Sequence, residues 1–358
     1  MVRLTRVQQQ ARTRASVLAA ARQEFIEQGY VLANVDRIAE RAELTRGAVY
    51  SNFPSKRALY LAVLVEMVEK AETAEPAGPP QSPAEALGTF ARTWLERLPL
   101  VDDTASGGRL QLRSLAGIVE DEQGRAVLAQ VAQLEALLLA MGLETCSSHR
   151  QVRLAELVLT MLGGAGFLAE MAPGFGDPFD RARACEHLAG LDLADTWAPP
   201  HLPFVTPAVP CQDAWTPPAG LPDLITGDRV DLGADGVVAV LGAHRVSAAE
   251  EAVRAAGPGE RVTVVVVPGD LAETGALVRL RISDLAGCLR RVFPPAAWAR
   301  LRVIVDDGTV AAAAGLTEAG QETEAAVRVR DGMIVARAGG RGAAHAAADH
   351  PTSRKATT

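Results

Sequence analysis

The sequence predicts a multidomain protein in which an all-α N-terminal half is followed by a small α/β domain. From Arg12 to about Leu191, apolar residues recur at three- and four-residue spacings with almost no β-branched runs. Between Asp192 and Pro222, prolines are frequent enough to interrupt helices and central strands. After Pro222, short valine-rich runs alternate with helix-like stretches, which is typical of an α/β domain.

Length and composition agree with a folded chain of more than one domain. The 358 residues exceed the roughly 150 of one domain, and 48% apolar with 22% charged residues is close to the globular average. The longest uncharged apolar stretch is Leu157 to Ala169, which is shorter than the roughly 18 residues of a membrane span. The first residues lack an apolar signal segment, so we expect a cytoplasmic protein without membrane contact.

The cysteines indicate neither a metal site nor a disulfide. Cys146, Cys185, Cys211 and Cys288 are far apart, with no C-x-x-C pair and no histidine at zinc-finger spacing. We therefore expect no cofactor, no metal and no catalytic residue.

Charge is concentrated at the N-terminal end. The first sixty residues carry ten basic and five acidic side chains, a net charge of +5, whereas the whole chain carries −7. A basic module on an acidic body is typical of DNA binding through one end. Arg3, Arg6, Arg12 and Arg14 form either an arm that reaches phosphates or the minor groove, or a solvated tail; both remain open.

Two helices are predicted in the first part of this basic end. Val17, Leu18, Ala21 and Phe25 lie on one face of a helix that stops at Gly29, where a missing side chain suits a left-handed conformation. The second helix has one buried stripe. Its apolar residues at i, i+3, i+4 and i+7, after the capping residue Asn34, are Val35, Ile38, Ala39 and Ala42.

A third and a fourth helix follow a short turn. Thr45 is placed to cap a short helix that runs to about Asn52, and Pro54 ends it. Ser55 then caps a fourth helix toward Lys70. Short helices joined by a tight turn, with the N-terminus of the third helix free, have the shape that places a recognition helix in the major groove.

This stretch resembles the TetR family of bacterial transcriptional regulators. The resemblance covers Arg14 to Leu64, and it is carried in order and spacing by Phe25, Gly29, Tyr30, Val35, Ile38, Ala39, Ala42, Gly47, Tyr50, Phe53 and Lys56. Two positions depart from the family pattern. Glu43 stands where glycine is usual in the turn, and Asn34 stands where threonine is usual.

The resemblance implies roles for individual residues. Tyr50 and Lys56 are expected to contact DNA phosphates, to which a phenol hydroxyl and a lysine can both donate. Thr45, Arg46, Gly47 and Ser51 are expected to face the groove, where an arginine can bind guanine bidentately. The complete predicted DNA-binding set is Thr45, Arg46, Gly47, Tyr50, Ser51, Asn52 and Lys56.

The resemblance also implies an all-α effector and dimerisation domain after the DNA-binding domain. Helices are predicted at Ala84 to Leu98, about Asp121 to Leu143, and Gln151 to Met171. In the family the last helices pair across a two-fold axis, and a small molecule bound in this domain releases the dimer from a palindromic operator. Large, flexible or charged residues on these helices are the candidates for the effector pocket: Trp94, Arg113, Met141, Met161 and Phe167. Ordinary core packing is the alternative for each.

The last domain resembles a thioredoxin-like or peroxiredoxin-like fold without its chemistry. Strands are predicted at Val237 to Leu241, Val262 to Val267 and Arg302 to Val305, and Asp331-Gly332 indicates a hairpin turn. The reactive cysteine of that fold would follow the first strand, where this chain has the segment from Gly242 to Ser247. The segment from Glu322 to Glu324 stands where a cis-proline would face it.

These inferences divide the chain into five segments. They are a DNA-binding domain at 1–64, an effector and dimerisation domain at 65–191, a linker at 192–222, a non-catalytic thioredoxin-like domain at 223–346 and a disordered tail at 347–358.

The predicted function is that of a homodimeric repressor that binds double-stranded DNA and is released by a small molecule. Two alternatives stay open. The C-terminal domain is a thiol redox module acting through Cys211 or Cys288, or it is a protein-interaction module.

Overall fold

Four helices form the N-terminal part of the computed structural model, which describes residues 5–70, 78–96, 115, 120–172, 174–197 and 199–349. They are α1 (Arg6–Leu32), α2 (Val35–Arg41), α3 (Arg46–Asn52) and α4 (Lys56–Lys70). Their core contains the predicted stripes: Val17, Phe25 and Ile38 are fully buried. Phe25 packs edge-on against Tyr60 of α4, with 4.8 Å between the ring centroids. The interior of this unit therefore follows from the helical periodicity of its sequence.

Helix α1 differs from the prediction at its beginning. It starts at Arg6, because Thr5 and Gln8 form a capping box in which Thr5 Oγ1 accepts from the Gln8 N–H and the Gln8 side chain accepts from the Thr5 N–H. The expectation of an arm or tail is therefore wrong for Arg6, Arg12 and Arg14, which lie on the helix, while Arg3 lies outside the described residues. Gly29 interrupts α1 with a φ of 69°, the positive φ that its position predicted.

Four further helices form the middle of the chain. They are α5 (Pro83–Leu95), α6 (Glu122–Leu143), α7 (Val152–Met171) and α8 (Pro178–Leu188). The side chains of Ser82, Asp121 and Asp177 cap α5, α6 and α8 by accepting from backbone N–H groups of the first turn. Helix α5 packs against α8, and α6 packs against α7. The boundaries of α6 and α7 agree with the sequence to within one residue.

Two of these helices are long and apolar enough to cross a membrane: Glu122–Leu143 and Val152–Ala169. The sequence did not predict this, because charged residues interrupt the uncharged apolar stretch of each helix. Of the most apolar 18 residues, 61% are buried in the first helix and 33% in the second. Burial of the first is what a core helix requires. The second has a large exposed apolar surface.

A six-stranded mixed sheet occupies the C-terminal part. Its strands, in the spatial order β1-β6-β5-β2-β3-β4, are β1 (Val209–Ala214), β2 (Gly236–Gly242), β3 (Val262–Val267), β4 (Leu301–Val305), β5 (Glu324–Arg330) and β6 (Met333–Gly339). Strands β2, β3 and β4 are parallel, and β5 lies antiparallel to β2. Between β5 and β6, Asp331 and Gly332 have φ values of 49° and 71°, as the hairpin signal predicted. The α/β class is thus present in this part of the chain.

Four helices accompany the sheet. They are α9 (Ala249–Ala255), α10 (Ala276–Leu289), α11 (Thr309–Ala313) and α12 (Ala343–Asp349). Helix α12 includes buried Ala347 and Ala348, so the prediction of a disordered tail is wrong for 347–349; the remainder of that segment lies outside the described residues. Alanine-rich sequence can pack closely against a sheet, and α12 does so against β5.

The proline-rich segment is attached to the α/β domain over part of its length, in contrast to a free spacer. Its residues Val209–Ala214 form β1, which pairs with β6 at the edge of the sheet, a position that tolerates proline. Trp215 is buried, and its Nε1–H donates to the Leu232 carbonyl at 2.7 Å. The sequence excluded a central strand here but did not show that an edge strand would form.

The α/β domain also packs directly on the helical domain. Helix α10 lies against α4 and α6, and apolar residues of the two domains form one continuous core. The indole Nε1–H of buried Trp298 donates to the Leu138 carbonyl of α6 at 2.9 Å. Gly142 permits the close approach of Phe293 to α6, because a Cβ at position 142 would lie 2.8 Å from ring carbons of Phe293. The two parts that the sequence separated therefore share an interior.

Buried and half-buried ion pairs join the same two domains. The Arg281 guanidinium on α10 donates to Glu135 Oε2 on α6 at 2.7 Å, and the Glu135 side chain is only 3% exposed. The Arg254 guanidinium on α9 donates to both carboxylate oxygens of Glu144 at 2.7 Å. Burial of charge is costly unless it is paired, so these contacts fix how the domains meet.

Candidate nucleic-acid interface

The turn between α2 and α3 is built by side-chain caps. Asn34 Oδ1 accepts from the Asp36 N–H at 2.8 Å and begins α2, while Thr45 Oγ1 accepts from the Ala48 N–H at 3.2 Å and begins α3. Between them, Glu43 has a φ of 56°. A residue with a Cβ in this region costs about 1–2 kcal/mol, which is the physical reason why glycine suits the turn.

Helix α3 presents one face to solvent and one to the core. Val49 is buried, whereas four residues of the predicted DNA-binding set are exposed: Thr45, Arg46, Gly47 and Ser51. The space beside Gly47 is open, since a Cβ there would meet only the Thr45 hydroxyl at 3.9 Å. This arrangement leaves the start of α3 accessible to a groove.

Arg46 is the exposed cation of this face. Its side chain is 60% exposed, its Nη1–H donates to Asp36 Oδ2 at 3.2 Å, and its guanidinium carbon lies 5.5 Å from the centre of the Tyr50 ring. The hydrogen bond with the Tyr50 side chain is the largest cause of its raised pKa, ahead of the charge of Asp36. An exposed pair of this kind is weak, so base edges can compete for the guanidinium.

The other predicted DNA-binding residues are half-buried or bonded within the domain. Ser51 Oγ and Asn52 Nδ2 both donate to the Ala48 carbonyl, at 2.8 and 2.9 Å. The Lys56 ammonium donates to the Val31 carbonyl at 3.0 Å and lies 5.0 Å from the centre of the Tyr30 ring. Burial lowers the pKa of Lys56. Lys56 is therefore the first residue of α4, and the structure holds its charge partly inside the domain.

Arg14 has a role in this unit that sequence reasoning missed. Its guanidinium carbon lies 4.2 Å from the centre of the Phe53 ring, and its Nη1–H donates to the carbonyl of Asn52, the last residue of α3, at 3.1 Å. The capping box at Thr5 was the available signal, because it extends α1 far enough to carry Arg14 over α3.

The α/β domain reaches the beginning of α4. Glu273 accepts from the Ser55 hydroxyl, and its Oε2 lies 2.8 Å from Arg57 Nε. Arg57 also donates to Asp121, the capping residue of α6, at 2.5 Å. Three parts of the chain are therefore linked by charge where α4 leaves the helix-turn-helix.

The predicted effector residues do not form one cluster of similar environment. Trp94 is buried against Phe90 of α5, with ring centroids 5.8 Å apart. Met141 and Met161 are half-buried, and Phe167 is 60% exposed. Arg113 lies outside the described residues.

Three cavities are lined by described residues, and they lie away from these side chains. The first, of about 590 Å³, is near Arg150 and the segment 189–196. The second, of about 260 Å³, is at the start of β2. The third, of about 300 Å³, lies between α4 and the start of α10.

The segment expected to replace a redox site forms an ion-pair cluster. The Gly242 N–H donates to the Thr323 carbonyl at 2.7 Å, so the two sequence segments do face each other. Glu322 carboxylate oxygens lie 2.8 Å from His244 Nδ1 and 3.0 Å from Arg245 Nε, and the hydrogen bond from His244 is the main cause of the lowered pKa of Glu322. His244 is half-buried rather than a surface residue.

The thiols do not have the environment of reactive cysteines. Burial raises the pKa of Cys185 to about 12 and also raises that of Cys146 and Cys211. Cys288 is buried in α10. Thiolate chemistry requires a lowered pKa, which burial opposes at Cys146, Cys185 and Cys211. Within the described ranges, His, Cys, Asp and Glu form no group able to hold a metal ion.

Comparison with known proteins identifies similarity in the N-terminal region. Residues 17–63 match the sequence model of the bacterial regulatory proteins of the tetR family. The chain is 45% identical over 51 residues to the HTH-type transcriptional activator FasR of Mycolicibacterium smegmatis, a match that covers 14% of this chain and 23% of that relative.

Solved structures of regulators also align with about half of the chain. A TetR transcriptional regulator from Rhodococcus sp. RHA1 is 16% identical over 51% of this chain and 94% of its own, with a TM-score of 0.32. NalD, the secondary repressor of the MexAB-OprM multidrug efflux pump in Pseudomonas aeruginosa, is 21% identical over 50% of this chain and 93% of its own, also with a TM-score of 0.32.

Proposed function

The N-terminal domain of this chain is a tetR-family helix-turn-helix, and from this premise we propose that the protein is a DNA-binding transcriptional regulator. The observation that carries the proposal is the exposed face of α3, where Thr45, Arg46, Gly47 and Ser51 are open to solvent above a fully packed core. A short helix with a free N-terminus and one exposed arginine can enter a major groove and bind base edges.

The acting species in this proposal is a homodimer on a palindromic operator. Helices α7 and α8 support it, because Phe167, Met171 and Phe179 are 60%, 69% and 78% exposed. Exposed apolar side chains of this size are costly in water and favour burial against a second copy. A Cβ at Gly163 or Gly164 would have no atom of another described element within 4 Å, which leaves room for close helix approach on this face.

Repression and release by a small molecule complete the proposal. The sign of regulation is a separate point, since the relative from M. smegmatis carries the name of an activator. A ligand that changes the spacing of the two DNA-binding domains of a dimer lowers its affinity for DNA half-sites one helical turn apart.

Selection of genomic fragments by the purified protein at fixed, near-physiological salt tests the proposal. We expect a recurring palindrome with half-sites about one helical turn apart. Arg46→Ala should change the selected sequence, whereas Arg125→Ala, which alters an arginine on α6, is the matched control and should leave it unchanged. Enrichment that does not exceed salt-sensitive background would refute the proposal.

Transcription from a reporter promoter that carries the selected palindrome then gives the sign. Lower output in the presence of the protein is the result expected for a repressor. Higher output would make the protein an activator.

A further inference from the structure

The cavity of about 300 Å³ between α4 and the start of α10, which we call the junction cavity, lies where three parts of the chain meet. Its walls come from α1, from the turn between α3 and α4, from α4, and from the segment 271–279 of the α/β domain. Its volume is at the lower end of the range of small-molecule sites. We propose that the junction cavity binds a small amphipathic anion with a compact apolar body.

Polar and apolar atoms contribute about equally to the surface of the junction cavity, and most of its lining residues are apolar. They include Leu18, Phe53, Ala58, Ala62, Val65 and Ala276. Leu271, which also lines it, is exposed to solvent. Covering apolar surface that remains in contact with water is favourable, because it removes that surface from water. This wall therefore favours the apolar part of a ligand over water.

Two arginines supply the charge. Arg14 lies over Phe53, and none of the ion pairs between described residues involves its guanidinium. Arg279 Nε is buried without a hydrogen-bond partner among the described residues; Arg279 forms an ion pair with Glu69, which also lines the cavity, with 3.8 Å between Nε and Oε1. The Glu66 carboxylate in the same wall is paired with Lys70 at 2.5 Å. Guanidinium donors beside an apolar wall fit a carboxylate, sulfonate or phosphate group.

Occupancy of this site would act on the helix-turn-helix through Arg14. The same guanidinium donates to the Asn52 carbonyl at the end of α3, so an anion that draws on Arg14 competes with that contact. A ligand whose apolar part lies between α4 and Ala276 also separates the DNA-binding domain from the α/β domain. This coupling rests on the proposed function, because it presumes that α3 contacts DNA, whereas binding itself does not.

Equilibrium dialysis of the full chain with naphthalene-2-carboxylate tests the site. The uncharged naphthalene-2-carboxamide is the matched ligand, and we expect it to bind about tenfold more weakly, the loss of one charge-assisted hydrogen bond. Arg14→Gln should weaken carboxylate binding by a similar factor. Arg12→Gln, two residues earlier on α1 and outside the cavity, should not. Ala62→Phe should fill the cavity and abolish binding, with folding checked by circular dichroism.

Three results would overturn the site: no saturable binding of the carboxylate, equal affinity for the carboxylate and the amide, or unchanged affinity in both Arg14→Gln and a folded Ala62→Phe variant. DNA affinity, measured by fluorescence anisotropy on a selected operator, is the separate readout. We expect the carboxylate to change it in the native chain and not in Ala62→Phe. A chain that binds the carboxylate but never DNA contradicts the proposed function and leaves the site intact. A chain that binds both without interaction refutes the coupling.

Discussion

The buried ion pair between Arg281 and Glu135 gives a quantitative test of how the α/β domain meets the helical domain. The Glu135 side chain is 3% exposed and that of Arg281 is 20% exposed, and Arg281 Nη2 lies 2.7 Å from Glu135 Oε2. Burial opposes the charge of Arg281, but the charge and hydrogen bond of Glu135 together with the charge of Asp284 outweigh burial and leave the pKa of this guanidinium raised. Glu135→Gln keeps the shape of the side chain and removes its charge, so Arg281 loses the carboxylate that it contacts directly and retains only the more indirect charge of Asp284.

Removing one partner of a buried pair costs about 3–5 kcal/mol. Because Arg281 retains some contact with water, we expect about 3 kcal/mol, the lower end of that range. This corresponds to a decrease of somewhat more than a hundredfold in the ratio of folded to unfolded chains. The assay is equilibrium unfolding in guanidinium chloride, with the shift of the midpoint measured at constant slope.

Two further variants complete this test. Glu66→Gln removes the charge of an exposed pair with Lys70 and should cost about 0.3–0.5 kcal/mol. The double variant Glu135→Gln with Arg281→Met should recover most of the stability lost in Glu135→Gln, since a buried pair can be replaced by apolar packing. If Glu135→Gln costs no more than Glu66→Gln, the domains do not meet through this pair and the described interface is wrong.

Four other predictions concern the DNA-binding domain, the domain interface and the thiols. Lys56→Ala should weaken DNA binding on all sequences and lower the slope of log affinity against log salt by about one; an unchanged slope would remove its phosphate role. Arg46→Ala should relax base preference at one position by about 1–3 kcal/mol, measured on operator variants, and uniform weakening would instead assign it to phosphate. A chain truncated after Asp192 should aggregate, because it exposes the faces of α4 and α6 that α10 covers; sedimentation as a compact, stable species would contradict this. Alkylation of the native chain by iodoacetamide at neutral pH should be slow, because a raised thiol pKa leaves little thiolate until pH rises toward that pKa; rapid modification of Cys185 would show a different environment.

Glu43 illustrates how a local departure from a family pattern becomes interpretable in the structure. The sequence showed only that glutamate replaces the glycine that is usual in the turn. The backbone shows a φ of 56° at this residue, a conformation in which glycine carries no steric penalty. The chain keeps the turn despite that cost, because Asn34 and Thr45 cap the helices on either side.

The fold class of the α/β domain was predictable from the sequence, but its packing against the helical domain was not. Short valine runs and the Asp331-Gly332 turn located its strands other than β1, because backbone geometry responds to local sequence. The packing of Trp298 and Phe293 on α6 involves residues about 150 positions apart. One sequence contains no periodicity that pairs such distant positions, so it could not show that the predicted α/β domain packs on α6.

The sequence by itself determined the helix-turn-helix: its helical stripes and its caps at Asn34 and Thr45 follow from local spacing, and the resemblance to the TetR family implied which residues of α3 face outward. Only the tertiary structure decided that the α/β domain shares a core with the helical domain, that Glu273 reaches the beginning of α4, and that Arg14 and Arg279 line one cavity. The physical reason is that caps and stripes depend on residues within one or two turns of each other. Domain contacts depend on shape and charge matching between surfaces that chain order does not relate.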